Sequence, residues 1–183
     1  MPSINDSKCV LVVGATSGIG RALASSILAL PSNPTVVVAG RRQERLDAFT
    51  EENAKTGRVG SVNMNMDSDG QTLKKTVQEI LTKYPQVGHR HINSFILSTI
   101  IAKLDTVIFS AGIQDTNDWS KPETIDLDCK QILELSDHAL MRTDLRSEIN
   151  VNYTSIVTMT AYFLPHFLKL GVIILSSFLL MSL

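Results

Sequence analysis

The sequence predicts an α/β fold: a doubly wound parallel sheet in three α/β/α layers, incomplete on its C-terminal side. Three observations carry that expectation. Short apolar runs recur along the 183 residues without strict alternation, as strands covered on both faces require. Apolar residues at helical spacing fall between those runs, which implies right-handed crossovers and a parallel sheet with helices on both sides. The stretch Val10 to Ala24 also passes from an apolar run through Gly14, Gly18 and Gly20 into an amphipathic helix.

The elements follow in order. Strands are expected at Cys9–Val13, Thr35–Ala39, Val62–Met66, Thr106–Ser110 and Val172–Leu175. Ala22, Leu23 and Ile27 share one face of the first helix, and Leu46 and Phe49 mark the second. Leu73, Val77, Ile80 and Tyr84 mark a third, ended by Pro85. Ile149, Ile156, Phe163 and Phe167 mark a long helix before the last strand. From Leu170 to Leu183 the chain is almost wholly apolar, yet shorter than the roughly 20 residues of a spanning helix. A buried strand with an apolar tail is expected there, not a membrane span.

Length fits one domain, residues 1–183, with room for a sizeable core. A formal net charge of −1 generates no long-range field, so nucleic acid is not an expected partner. Cys9 and Cys129 have no ligand-like spacing and suggest a reducing, cytoplasmic setting. His89 and His91 have no Cys, Asp or Glu cluster around them, so no metal site is expected. No signal-peptide segment is read at Met1 to Lys8.

A glycine-rich turn between a strand and a helix lets backbone approach a pyrophosphate at the positive end of the helix. Gly14 makes the sharp turn, Gly18 admits the ligand, and Gly20 lets the helix close on the strand. Together with the alternating elements, this chain resembles the short-chain dehydrogenase/reductase family, which binds NAD or NADP on a Rossmann-type sheet. The family's Thr-Gly-x-x-x-Gly-x-Gly corresponds to Val13-Gly14-Ala15-Thr16-Ser17-Gly18-Ile19-Gly20, with valine for threonine. Its Asn-Ala-Gly corresponds to Ser110-Ala111-Gly112, with serine for asparagine. The resemblance implies that Gly14, Thr16, Ser17, Gly18, Ile19 and Gly20 hold the phosphates. It also implies that Asp67 contacts adenine and that Ser110, Ala111 and Gly112 lie along the ribose and nicotinamide.

An NAD site needs an acidic side chain about 20 residues past the glycine turn for the ribose 2′-hydroxyl. Ala39-Gly40-Arg41-Arg42 offers two guanidinium groups instead, suited to a 2′-phosphate. Cations at a helix N-terminus oppose the macrodipole, so a phosphate partner explains them better than solvation does. NADP(H) is therefore expected rather than NAD(H), with Arg41 first and Arg42 second.

The family transfers hydride between nicotinamide and a small carbonyl or alcohol carbon, using a tyrosine acid/base, a lysine four residues on, a serine and an asparagine. Asn152 in Ile149-Asn150-Val151-Asn152-Tyr153 matches the asparagine of the proton relay, and Ser177 falls where the serine would be. No Tyr-x-x-x-Lys occurs: four residues after Tyr84, Tyr153 and Tyr162 stand Gly88, Val157 and His166. A truncated chain without meaningful dehydrogenase activity is therefore expected, or alternatively a non-catalytic nucleotide-binding or interaction fragment. Homo-oligomers are expected of the full-length form. Residues 87–103 and 129–144 exceed the family pattern and read as insertions or retained introns, and the tail after Leu170 as read-through.

Overall fold

The structure, a computed structural model, describes residues 4–84, 104–112, 147, 149–170 and 174–177. Five parallel strands form one sheet in the order β3-β2-β1-β4-β5. They are β1 (Cys9–Val13), β2 (Thr35–Gly40), β3 (Val59–Asn63), β4 (Thr106–Phe109) and β5 (Ile174–Ser177). Among the described residues, four α-helices accompany them: α1 (Gly18–Leu28), α2 (Gln43–Glu52), α3 (Gly70–Lys83) and α4 (Ser155–Leu170). This is the Rossmann-like doubly wound arrangement expected from the sequence. The strand order reverses direction between β1 and β4, and in such sheets ligands bind beyond the strand carboxyl ends at that switch point.

Every residue of β1 is fully buried, because helices cover the sheet on both sides. Cys9, Leu11 and Val13 point into one layer with Val107 and Phe109 of β4, against Leu73, Val77 and Ile80 of α3 and Met159, Phe163 and Phe167 of α4. Val10 and Val12 point into the other layer with Val36, Val38 and Ile108, against Ala24, Ile27 and Leu28 of α1 and Leu46 and Phe49 of α2. The period-two alternation of a strand thus feeds two separate cores.

Helix α3 starts at Asp69, whose carboxylate accepts from the N–H groups of Gln71 (2.8 Å) and Thr72 (3.0 Å). Helix α4 is entered through a π-turn, Asn150–Thr154. Pro165 stands inside α4 on its exposed side.

Four strands differ in extent from the sequence expectation, β2 only by running one residue further, to Gly40. β3 is Val59–Asn63 and not Val62–Met66, because its register on β2 runs from Val36↔Val59 to Gly40↔Asn63. Met64 and Met66 are buried after the strand has ended, which is why they read as part of it. β5 is Ile174–Ser177 rather than Val172–Leu175, set by Thr106↔Ile174 on β4. β4 ends at Phe109, although the Ser110 amide still donates to the Val13 carbonyl at 2.8 Å. Residues 87–103 and 129–144, read as insertions, lie outside the described residues, as does most of the apolar tail.

Candidate functional site

A cleft opens over the carboxyl ends of β1, β2 and β4, at the switch point of the sheet. Its floor is the turn that leaves β1. Gly14 has φ +89, a region closed to most L side chains, and its amide and that of Ala15 both donate to the Ala39 carbonyl (2.8 and 3.1 Å). The turn is thereby pinned to the end of β2. A β-carbon on Gly20 would strike the Gly14 carbonyl, so only glycine lets α1 begin this close to β1.

Gly18 also has positive φ (+55), but nothing lies within 4 Å of where its β-carbon would be. Its freedom serves the open side of the cleft. Ser17, the N-cap of α1, makes no side-chain cap bond, so the first turn presents N–H groups without that partner. Thr16, Ser17, Gly18, Ile19 and Gly20 all line the cleft, and Ile19 is half exposed.

Arg41 and Arg42 form the side of the cleft beyond β2. Neither guanidinium is hydrogen-bonded or ion-paired to a described residue; among those residues the ion pair is Arg21–Glu52, at 2.6 Å. Two cations thus stand at the entrance to α2 and line the cleft, an arrangement chemically suited to an anion.

Ser110, Ala111 and Gly112 line the cleft beyond β4. The Ser110 hydroxyl oxygen is buried with no hydrogen-bond partner. A β-carbon on Gly112 would sit 3.4 Å from Oδ1 of Asn152, which brings the π-turn to this edge of the site, and Val151 of the same turn lines the cleft. Ser177 ends β5 opposite Phe109, so its backbone lies next to the end of β4.

Asp67, expected at the adenine, directly follows Met64, Asn65 and Met66, which line the wall of the cleft. The Asp67 carboxylate accepts from Ser147 Oγ (2.7 Å) and Asn150 Nδ2 (2.9 Å). The Asn150 and Ser147 bonds hold its carboxyl below the ordinary carboxylate range, and the positive charge of Arg41 adds to them. The Met64–Met66 wall was missed because its residues look like strand interior. No local signal marks the change, because β3 ends where its pairing with β2 ends, at Gly40↔Asn63.

Among the described residues no group of three or more His, Cys, Asp or Glu is placed to hold a metal ion. None of the described helices is long and apolar enough to cross a membrane. The residues present do fit a dinucleotide. They provide a glycine floor that side chains would fill, a helix start without a side-chain cap, two guanidinium groups beside the cleft and an orphaned hydroxyl.

Comparison with known proteins supports the same conclusion. The family model described as short chain dehydrogenase matches residues 8–178. Sulfoacetaldehyde reductase 2 of Chromohalobacter salexigens is 27% identical over 155 residues, covering 84% of this chain and 49% of that protein. A 3beta-hydroxysteroid dehydrogenase of Mediterraneibacter gnavus is 35% identical over 108 residues, covering 59% of this chain and 32% of that one. The chain therefore spans about half the length, or less, of these curated relatives. Among solved structures, a short-chain dehydrogenase from Sphingobium yanoikuyae in complex with NADPH superposes with a TM-score of 0.63 at 18% identity, over 93% of this chain and 52% of that one. With a match that runs over nearly its whole length, this chain belongs to the short chain dehydrogenase family.

Proposed function

We propose that this chain holds a nicotinamide dinucleotide, NADP(H) in preference to NAD(H). It would contribute the cofactor half of an oxidoreductase acting on a small carbonyl or alcohol. The observation that carries the reading is the meeting of the glycine turn with Arg41 and Arg42 in one cleft. Gly14 and the first turn of α1, from Thr16 to Gly20, bind the diphosphate through backbone N–H groups and the positive helix end. Arg41 pairs with the 2′-phosphate and Arg42 supports it. Asp67 contacts the adenine ring, and Met64 and Met66 beside it give that ring an apolar wall. Ser110, Ala111 and Gly112 follow the ribose and nicotinamide.

When bound, the nicotinamide supplies or accepts a hydride. Asn152 orients the relay that moves the proton, and Ser177 polarises the substrate oxygen. The NADPH carried by the Sphingobium relative supports the choice of cofactor. A second reading, nucleotide binding without dehydrogenase activity, is favoured by one fact: these 183 residues contain no Tyr-x-x-x-Lys.

Titration of the purified chain with NADPH and NADH, followed by thermal midpoint and nucleotide fluorescence, tests the reading. NADPH is expected to stabilise the fold and to bind at least about tenfold more tightly than NADH. Equal affinity would overturn the 2′-phosphate assignment, and failure of both to bind would overturn the whole reading. NADPH-dependent reduction of a reactive diketone by the same preparation would decide against the second reading.

A further inference from the structure

The Asp67 carboxylate reaches two residues remote in sequence, Ser147 and Asn150, at separations of 80 and 83. Those two precede the π-turn and open it. At the other end of the turn, Ser155 Oγ donates to the carbonyl of Met66. The loop after β3 therefore grips the Asn150–Thr154 turn from both sides. The loop itself is anchored. Met64 N donates to the Gly40 carbonyl (2.8 Å), the Asp67 amide donates to Asn65 Oδ1 (3.1 Å), and Met64 and Met66 are buried.

We propose that Asp67 is a positioning residue: by holding Ser147 and Asn150 it fixes the π-turn and so sets Asn152 beside Gly112 at the edge of the cleft. The argument is geometric. A π-turn is rarer than regular α-helix and occurs mostly as a single-turn insertion, so outside contacts must favour it. Each helical residue rotates the chain by about 100°. Relaxing the turn to α-geometry would swing the Asn152 side chain by roughly that angle relative to α4, and away from Gly112. Two hydrogen bonds to an ionised carboxylate at one end, with the Ser155–Met66 bond at the other, oppose that relaxation. That Asn152 serves a proton relay rests on the proposed function; that Asp67 places it does not.

The test uses the 183-residue chain without nucleotide, comparing wild type with Asp67→Asn, Asn150→Asp and the exchanged pair Asp67→Asn/Asn150→Asp. Amide hydrogen exchange is read over residues 149–155, with α1 as the internal reference, and the Asn152 carboxamide resonance reports its placement. Each single variant is expected to raise exchange over 149–155 about tenfold, as loss of charge-assisted bonds at an exposed site would, and to shift the Asn152 resonance while α1 is unchanged. The exchanged pair restores a carboxylate–carboxamide contact and is expected to recover both readouts, which general destabilisation would not do. Ser147→Ala, which removes one bond only, should give an intermediate effect and serves if a single variant fails to fold. Wild-type exchange and an unmoved Asn152 resonance in Asp67→Asn would overturn the proposal, as would an exchanged pair no better than the singles. Failure of wild type to bind NADPH would overturn the proposed function and leave this result standing.

Discussion

Gly14 and Ala111 are in such close approach that a β-carbon added to Gly14 would lie 2.5 Å from the Ala111 amide nitrogen. The turn after β1 and the turn after β4 thus meet backbone to backbone across the switch point, an approach possible because Gly14 carries no side chain.

Gly14→Ala is accordingly expected to be severe. The substitution combines a left-handed φ of +89 with a collision against backbone that cannot rotate away. Strain at such a position costs about 1–3 kcal/mol before the clash is counted. Gly18→Ala has a similar φ problem with no collision, and should cost only about 1 kcal/mol. Urea unfolding of both variants checks the contrast, and near-equal midpoints would refute it.

Arg41→Ala should weaken NADPH far more than NADH. A hydrogen-bonded charge contact contributes about 1.5–3 kcal/mol, which predicts a loss of about tenfold to a hundredfold in NADPH affinity. NADH, lacking the 2′-phosphate, should lose less than threefold, a bound set by the same general magnitudes. Calorimetric titration of both nucleotides measures the difference.

The residues that define the cleft floor were legible in the sequence because their signals are local. Cys9–Val13 is apolar throughout, and the spacing of Gly14, Gly18 and Gly20 admits few structures other than a strand–turn–helix. β3 was not legible at the same accuracy. It is an edge of the described sheet, all but the last of its residues are only half-buried, and its register comes from β2 rather than from its own pattern. Leu170 to Leu175 likewise carries no polar punctuation to say where β5 begins. Asp67 illustrates a different limit. Its partners are remote in the chain, and no local pattern tells whether a carboxylate faces a cleft or a helix start.

Ser110→Ala should separate stability from binding. The buried hydroxyl of Ser110 has no partner, so its removal relieves a desolvated polar group and should raise the urea stability of the free chain by about 1 kcal/mol. If that hydroxyl bonds the cofactor, as proposed, the same variant should bind NADPH several-fold more weakly, within the usual worth of one neutral hydrogen bond. A variant that is less stable and binds equally well would contradict both expectations.

Alkaline pH should unfold this protein through the core beneath the sheet. Burial pushes the Cys9 thiol from its ordinary 9.0 up to about 12, with the charge of Asp105 adding to it. Burial likewise pushes the Tyr84 hydroxyl from 10.0 up to about 12, with Cys9 contributing. Both groups keep their protons in the folded chain over a range in which the unfolded chain gives them up. Their contribution to stability is therefore intact below pH 9 and declines as pH rises toward 12. In Cys9→Ala the decline should begin nearer pH 10, because of these two groups only Tyr84 is left to lose its proton on unfolding. Urea midpoints measured from neutral pH to pH 10.5 follow the effect. The same burial makes Cys9 a poor nucleophile. In a Cys129→Ser background, disulfide reagents at pH 8 should modify Cys9 at the rate of unfolding, and prompt modification of the folded chain would show the thiol to be accessible.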